Sequence, residues 1–181
     1  MAPRLLETYR NTILPELREE FGFKNVMEAP HLDKIVVNMG VGDAIQDPRM
    51  LEMAMSELAT ITGQKPAIRK AKKSISNFKV REGASIACMT TLRGARMYEF
   101  MDRLLNVAIP RIRDFRGVPR NSFDAQGNYT LGLREQTIFP EVNINNVTRP
   151  RGMNVTFVIK NSRSVDESRE LLRKFGMPFR N

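Results

Sequence analysis

Residues 32–39 read LDKIVVNM, and this stretch decides the fold class. Ile35, Val37 and Met39 alternate with a second, mixed set of side chains, Lys34, Val36 and Asn38. Because successive side chains of a strand point to opposite sides of a sheet, the pattern predicts a strand with one buried face and one semi-polar face. Half-buried strands are typical of an antiparallel sheet that is open to solvent on one side.

The same alternation returns later in the chain. Residues 85–93 read SIACMTTLR, and their Thr91 and Arg93 fall on the face opposite to Cys88. Residues 152–160 read GMNVTFVIK and predict a third strand of this kind. Shorter strands are predicted near residues 67–70, 129–134 and 138–144.

Helices are predicted between these strands. Residues 3–21 carry an apolar side chain at every fourth position, and Pro15 is expected to kink or split this helix. The other predicted helices run from an Asp47 cap to Gly63, over residues 95–108, and from a Ser164 and Glu167 capping box to Phe175. We therefore predict an α+β fold: a single two-layer domain over residues 1–181, a mainly antiparallel sheet with helices packed on one face, and long basic loops near 71–84 and 110–129.

The most basic segment is residues 65–81, KPAIRKAKKSISNFKVR, with seven basic side chains and no acidic one. The whole chain shares this excess, with 29 Lys and Arg against 20 Asp and Glu, a net charge of +9. Lysine and arginine neutralise phosphates, and interleaved residues such as Ile75, Phe78 and Asn77 suit contacts with sugars and bases. Nucleic acid is the expected partner; a solvated loop without a partner and an anionic membrane surface are the alternatives.

Residues that could carry catalysis or hold a metal are scarce. His31 is the only histidine and Cys88 the only cysteine, which argues against a His/Cys metal site, an intrachain disulfide and a catalytic triad. No apolar run approaches the roughly 20 residues that span a bilayer, and the charged N-terminus does not read as a signal peptide.

The glycine and carboxylate motifs are equally weak. The segment VNMGVGDA, residues 37–44, lacks the third glycine of a dinucleotide-binding loop. Asp43 and Asp47 could ligate Mg²⁺, but capping explains Asp47 better, and Glu135 and Glu141 are too isolated for paired-carboxylate catalysis. The turn Arg149-Pro150-Arg151 could contact a phosphate or simply be solvated, and the sequence leaves both possibilities open.

Seven stretches together carry a resemblance to one family. They are PRLLETYR (3–10), LREEFGFKNVMEAP (17–30), LDKIVVNMGVGDA (32–44), ATITGQKPAIRKAKKSISNFKVREG (59–83), TTLRGARMYEFMDRLLNVAIPRIRDFRG (90–117), SFDAQGNYTLGLREQTIFPE (122–141) and ELLRKFGMPF (170–179). In this order they resemble the bacterial large-subunit ribosomal protein five family, which binds 5S ribosomal RNA. The resemblance covers nearly the whole chain.

The resemblance implies a non-catalytic α+β domain without cofactor or metal, located in the cytoplasmic ribosome. It implies that the protein helps to attach 5S rRNA in the central protuberance, together with other 5S-binding proteins. In the family, the N-terminal helix region and the open sheet face contact the 5S rRNA. Carried over to this chain, the sheet-face residues are Lys34, Asn38, Gln64, Lys65, Thr91 and Arg93.

The resemblance also implies two further contacts. The basic loop, residues 72–81, would reach the transfer RNA in the peptidyl site through Lys72, Lys73, Ser74, Ser76, Asn77, Phe78, Lys79 and Arg81. The bridge loop, residues 111–126, would form an intersubunit bridge with a small-subunit head protein through Arg111, Arg113, Asp114, Arg116 and Arg120. One departure from the family is Thr90, which stands where an aliphatic residue is expected on the helix-facing side. An RNA-acting enzyme and a nonspecific RNA chaperone or membrane-surface protein are the competing classes.

Overall fold

The computed structural model describes residues 2–144, 147 and 149–180. Five strands form one sheet in the order β2-β3-β1-β5-β4. Their bounds are β1 His31–Gly40, β2 Ala67–Lys70, β3 Ser85–Leu92, β4 Tyr129–Leu133 and β5 Met153–Lys160. At the edge, β2 pairs antiparallel with β3, Ala67 opposite Met89, and the register shifts between Arg69 and Lys70. The predicted α+β class with an antiparallel sheet is confirmed.

The α-helices are α1 Arg4–Thr8, α2 Leu14–Phe21, α3 Arg49–Thr62, α4 Gly94–Arg103 and α5 Val165–Lys174. A π-helical segment, Tyr9–Ile13, joins α1 to α2, and another, Leu104–Ala108, continues α4. Each segment precedes a proline, Pro15 or Pro110. Because a proline ring clashes with the carbonyl four residues earlier, the preceding turn widens. Pro15 therefore splits the N-terminal helix, as predicted, without ending it.

The chain divides into two compact units. The first comprises Met1–Ile35, Leu92–Leu131 and Thr156–Asn181. Within it, α1 packs against α4, and Tyr9 stacks on Phe175 with ring centroids 5.9 Å apart. Lys174 joins α5 to α2, because its Nζ lies 2.9 Å from a carboxylate oxygen of Glu16 and 3.4 Å from one of Glu20.

The second unit comprises Val36–Thr91 and Gly132–Val155. Its buried residues come from α3 and from alternate strand positions, and include Leu51, Leu58, Ile61, Val37, Met39, Cys88 and Val155. The alternation predicted for β1, β3 and β5 is thus observed as alternating burial. That the whole chain folds as a single domain stays a prediction.

A buried ion pair lies within the second unit. Arg151 Nη1 donates to both carboxylate oxygens of Glu57, at 2.9 and 3.1 Å, and the two side chains are only 6% and 13% exposed. The Gln136 side chain donates to Glu57 and to the Arg149 carbonyl, and it accepts the Arg151 N–H at 2.6 Å. For the turn Arg149-Pro150-Arg151 the sequence left open a phosphate contact or simple solvation. Neither applies to Arg151, because its guanidinium is buried and paired with Glu57. Both stay open for Arg149, which is exposed.

Two local predictions need correction. No strand forms over residues 138–144: after a 3₁₀ turn, Gln136–Ile138, the chain bends, and the Val142 N–H donates to the Phe139 carbonyl. Pro140 lacks the N–H that a strand ladder requires. Ser164 caps α5 as predicted, but the Glu167 carboxylate accepts the N–H of Arg163 instead of that of Ser164.

Thr90 lies on the buried side of β3, as predicted, and is 2% exposed. Its hydroxyl has no hydrogen-bond partner among the residues that the structure describes. A buried hydroxyl without a partner costs roughly 1 kcal/mol or more. The Thr90 side chain therefore buries one polar atom that lacks a hydrogen-bond partner.

We therefore expect Thr90→Val to raise the free energy of unfolding by about 1 kcal/mol, since valine keeps the shape and removes the hydroxyl. Thr62→Val is the matched control, because the buried Thr62 hydroxyl donates to the Leu58 carbonyl at 2.7 Å. That control should lower the free energy by about 1 kcal/mol. Urea titrations of the two variants measure both values, and a loss of stability in Thr90→Val would contradict the assignment.

Candidate nucleic-acid interface

The second unit contains four of the predicted sheet-face residues, Asn38, Gln64, Lys65 and Thr91. Asn38 and Thr91 are half-exposed, whereas the preceding residues Val37 and Thr90 are buried. Gln64 Nε2 donates to the Thr91 carbonyl at 3.2 Å, so the loop after α3 is tied to the end of β3. Lys65 follows it and is exposed. The arrangement presents amide, hydroxyl and ammonium groups, the types that contact RNA sugars, base edges and phosphates.

In the first unit, the predicted residues Lys34 and Arg93 are half-exposed and exposed. An acidic residue that the sequence reasoning missed, Asp33, lies beside them. Its Oδ2 accepts a hydrogen bond from Arg93 Nη1 at 3.1 Å, and its Oδ1 lies 3.1 Å from Lys160 Nζ. The hydrogen bond from Lys160 and the charges of both cations outweigh burial and hold the pKa of Asp33 below its ordinary value. Asp33 is therefore ionised at neutral pH.

Asp33 was missed because strict alternation assigns it to the buried side with Ile35. The observed burial slips by one residue, since Leu32 and Ile35 are both buried while Asp33 and Lys34 are half-exposed. Lys160 could have been found, because it follows the inward Ile159 at the end of β5 and alternation places it on the exposed side. A charged residue at a nominally inward position was the available signal for Asp33.

The basic loop is internally hydrogen-bonded. Ile75 and Val80 exchange two backbone hydrogen bonds, at 2.9 and 3.1 Å, and the Ser74 hydroxyl accepts the Glu82 N–H at 2.9 Å. A 3₁₀ turn, Ser76–Phe78, forms the tip, and Lys79 follows it in the left-handed region with φ 51°. A short hairpin therefore forms within the loop, closed by the backbone bridge between Ile75 and Val80.

The basic loop exposes its cations and its aromatic residue. All eight of its predicted contact residues are exposed: Lys72, Lys73, Ser74, Ser76, Asn77, Phe78, Lys79 and Arg81. The Phe78 ring at the tip is 71% exposed. An exposed aromatic ring among lysines can stack on a base while the ammonium groups contact phosphates.

The predicted contact residues of the bridge loop are likewise exposed: Arg111, Arg113, Asp114, Arg116 and Arg120. The loop is anchored at Gly117 (φ 97°), where an added Cβ would lie 2.7 Å from the Arg180 Cα. Val118 pairs with the C-terminal segment, donating to the Pro178 carbonyl and accepting from the Arg180 N–H. No residue larger than glycine fits at position 117 without moving that segment.

The end of the bridge loop turns around Asp124. Its carboxylate accepts the N–H groups of Gln126 and Asn128, at 2.9 and 2.8 Å, and the Asn128 side chain at 2.9 Å. Burial opposes ionisation, but these hydrogen bonds prevail and lower the pKa of Asp124. Asn128 Oδ1 in turn accepts the Ile159 N–H, so the turn is fastened to β5.

The surroundings of the residues weighed for catalysis and metal binding can be described one by one. Burial raises the pKa of the Cys88 thiol to about 11, and a protonated, buried thiol is a poor nucleophile. Among residues 2–144, 147 and 149–180, no three His, Cys, Asp or Glu side chains are grouped as metal ligands would be. Within the same residues, no helix has the length and apolarity to cross a bilayer. Asp47 accepts the Arg49 N–H at 3.0 Å, the capping contact that the sequence predicted.

Comparison with known proteins supplies the remaining observation. The family model described as "Ribosomal protein L5" matches residues 25–81, and the model described as "ribosomal L5P family C-terminus" matches residues 85–179. The large ribosomal subunit protein uL5 of Moorella thermoacetica is 58% identical over 177 residues, which are 98% of each chain. The uL5 proteins of Clostridium tetani and Trichlorobacter lovleyi are 55% and 54% identical over 179 and 178 residues. These alignments cover 99% of both chains for C. tetani, and 98% of this chain and 99% of the relative for T. lovleyi.

Proposed function

The chain belongs to the ribosomal protein L5 family, and on that premise we propose that it binds 5S rRNA through its sheet-face residues and helps to attach it in the central protuberance. As a member of this family it is a protein of the large ribosomal subunit, located with rRNA in the ribosome of the bacterial cytoplasm. Its relatives are structural ribosomal proteins and not enzymes. The proposal extends this to 5S rRNA, to the other 5S-binding proteins, to transfer RNA and to the small subunit.

The observation that carries the 5S proposal is the exposed polar side of the sheet. Asn38 and Thr91 are accessible on strands whose intervening residues are buried, and Gln64 is fixed next to Thr91. Such side chains can hydrogen-bond to ribose hydroxyls and unpaired base edges, which distinguish one RNA from another. Arg93 adds a planar donor group that matches a phosphate.

We expect the double variant Thr91→Ala, Arg93→Ala to bind 5S rRNA roughly 10- to 100-fold more weakly, because it loses a charge-assisted contact and a hydroxyl. The fold should persist, since both side chains are accessible and neither belongs to the core. Filter-binding titration at fixed salt measures the affinity. Unchanged affinity would remove the sheet-face residues from the interface.

The matched control is Thr60→Ala with Arg49→Ala, which removes the same residue types from exposed positions of α3. This control should bind 5S rRNA as the parent chain does. An unrelated RNA of equal length tests selectivity. Equal affinity of the parent chain for both RNAs would favour a nonspecific RNA chaperone over a 5S-binding protein.

For the basic loop we propose contact with the transfer RNA in the peptidyl site. The hydrogen-bonded hairpin supports this, because it holds Lys72, Lys73, Lys79 and Arg81 away from the core with Phe78 at its tip. For the bridge loop the proposed partner is a small-subunit head protein. Its support is a set of exposed arginines on a segment that Gly117 and Asp124 fix at two points.

A further inference from the structure

Asp33 holds two cations on the accessible side of the first unit. The strand order β3-β1-β5 places β1 between two neighbours, with Arg93 directly after β3 and Lys160 at the end of β5. Arg93 contacts Oδ2 of Asp33 and Lys160 contacts Oδ1, each at 3.1 Å. One carboxylate therefore joins cations from two different strand ends.

Burial differs sharply within this group. The Asp33 side chain is 17% exposed, whereas those of Arg93 and Lys160 are 57% and 59% exposed. The carboxylate is thus the inner member, and the two cations keep further N–H donors for solvent or a ligand. In an ordinary surface ion pair both partners are exposed, whereas here two accessible cations share one half-buried carboxylate.

We propose that Arg93 and Lys160 form a phosphate-binding pair for rRNA and that Asp33 is the residue that positions it. The proposal rests on RNA binding through the sheet-face residues and adds Lys160 and Asp33 to them. Without Asp33, two neighbouring cations repel each other, and their long side chains sample many rotamers. With Asp33, both are held near one point, so less conformational freedom is lost when a phosphate binds.

Asp33→Asn gives a test in which charge and positioning have opposite signs. The change removes one negative charge near the RNA, so electrostatics alone predicts tighter binding and a steeper salt dependence. Positioning predicts weaker binding and a shallower salt dependence, because the two cations are no longer held together. The sign of the effect therefore decides between them.

The experiment measures the affinity for 5S rRNA and for 23S rRNA as a function of salt concentration. Lys160→Ala should lower the magnitude of the log–log salt slope by roughly 0.7 to 0.9, the value for one phosphate. Asp33→Asn should weaken binding about threefold to tenfold, and should add little in a Lys160→Ala background. Asp33→Glu, which keeps the carboxylate, should restore most of the affinity.

The charge-matched control is Asp166→Asn, which also removes an acid paired with an arginine, Arg169, at the start of α5. It should leave the affinity unchanged or slightly increase it. The proposal is overturned if Asp33→Asn binds as tightly as the parent chain or more tightly. An unchanged salt slope in Lys160→Ala also overturns it, and this exposed substitution does not depend on the stability of Asp33→Asn.

If the proposed binding to 5S rRNA is wrong, the same experiment gives a result that differs from failure of the phosphate-binding pair. If the parent chain shows no preference for 5S rRNA over 23S rRNA, the 5S proposal fails. The comparison between variants is then made on 23S rRNA, the other RNA of the subunit to which the family belongs. A positional effect of Asp33 there would still support the phosphate-binding pair.

Discussion

Replacing Arg151 with methionine is expected to lower the free energy of unfolding by about 3–5 kcal/mol, because the change leaves the Glu57 carboxylate buried without its cation. Arg151 and Glu57 are 6% and 13% exposed and share two hydrogen bonds, at 2.9 and 3.1 Å. Gln136 still donates to Glu57 in the variant, but a neutral amide does not replace a charge. Urea titration, monitored by circular dichroism, measures this loss of unfolding free energy.

Arg149→Met is the matched control, two residues earlier in the same turn. Arg149 also pairs with a carboxylate, that of Asp43, but these side chains are 65% and 57% exposed. Exposed ion pairs contribute about 0–1 kcal/mol, so this variant should unfold almost as the parent chain does. Equal losses in the two variants would show that burial of the Arg151 pair is not what makes it stabilising.

A double variant, Glu57→Leu with Arg151→Met, removes both charges. It separates the net contribution of the ion pair to stability from the penalty of leaving one charge buried without its partner. Replacing a buried ion pair by apolar residues of similar size is often neutral or stabilising. We expect the double variant to recover most of the stability that Arg151→Met loses. Continued loss in the double variant would indicate that the turn after residue 148 depends on the Arg151 guanidinium for its conformation.

Neutralising the basic loop is expected to reduce retention of transfer RNA in the peptidyl site while leaving 5S rRNA binding intact. The variant replaces Lys72, Lys73, Lys79 and Arg81 with glutamine. All four are exposed on a hairpin whose hydrogen bonds come from the backbone and from Ser74, so the loop conformation should persist. If each contacts one phosphate, the magnitude of the log–log salt slope for transfer RNA falls by about 3.

The bridge loop offers a control with the same change of charge. Replacing Arg111, Arg113, Arg116 and Arg120 with glutamine also removes four positive charges from exposed positions. This variant should retain transfer RNA as the parent chain does and should instead weaken association of the subunits. Nitrocellulose retention of labelled transfer RNA on ribosomes and sucrose-gradient profiles of the subunits are the two measurements. Equal loss of transfer RNA in both variants would mean that net charge, not the basic loop, holds it.

Hydrophobic alternation was sufficient to predict the strands that organise this protein. The inward residues Ile35, Val37 and Met39 of β1 are all buried, and Met153 to Ile159 repeat the pattern in β5. Gly63 ends α3, as predicted, and Gly22 ends α2, both in the left-handed conformation that glycine favours. These features follow from local sequence, because strand periodicity and helix capping involve neighbours within a few residues.

The features that the sequence did not reveal depend on distant partners. Arg151 reads as a basic turn residue, and only the approach of Glu57 from α3 explains its burial. Asp33 reads as an ordinary strand residue until Arg93 and Lys160 contact it from two other parts of the chain. The predicted strand over 138–144 failed because its apolar residues suggested a ladder that Pro140 prevents.

The two π-helical segments also explain the unusual spacing of the apolar side chains in their helices. Leu5, Tyr9, Ile13 and Leu17 follow one another at intervals of four, and Met97, Met101 and Leu105 do the same. On a regular α-helix of 3.6 residues per turn, each such step over-rotates by about 40°, so the row would wind away from its contact surface. In the widened turns, where the Leu14 N–H reaches the Tyr9 carbonyl and the Ile109 N–H reaches that of Leu104, each residue rotates less. Each widened turn offsets part of this excess rotation, which brings the apolar residues before and after it closer to one face of the helix.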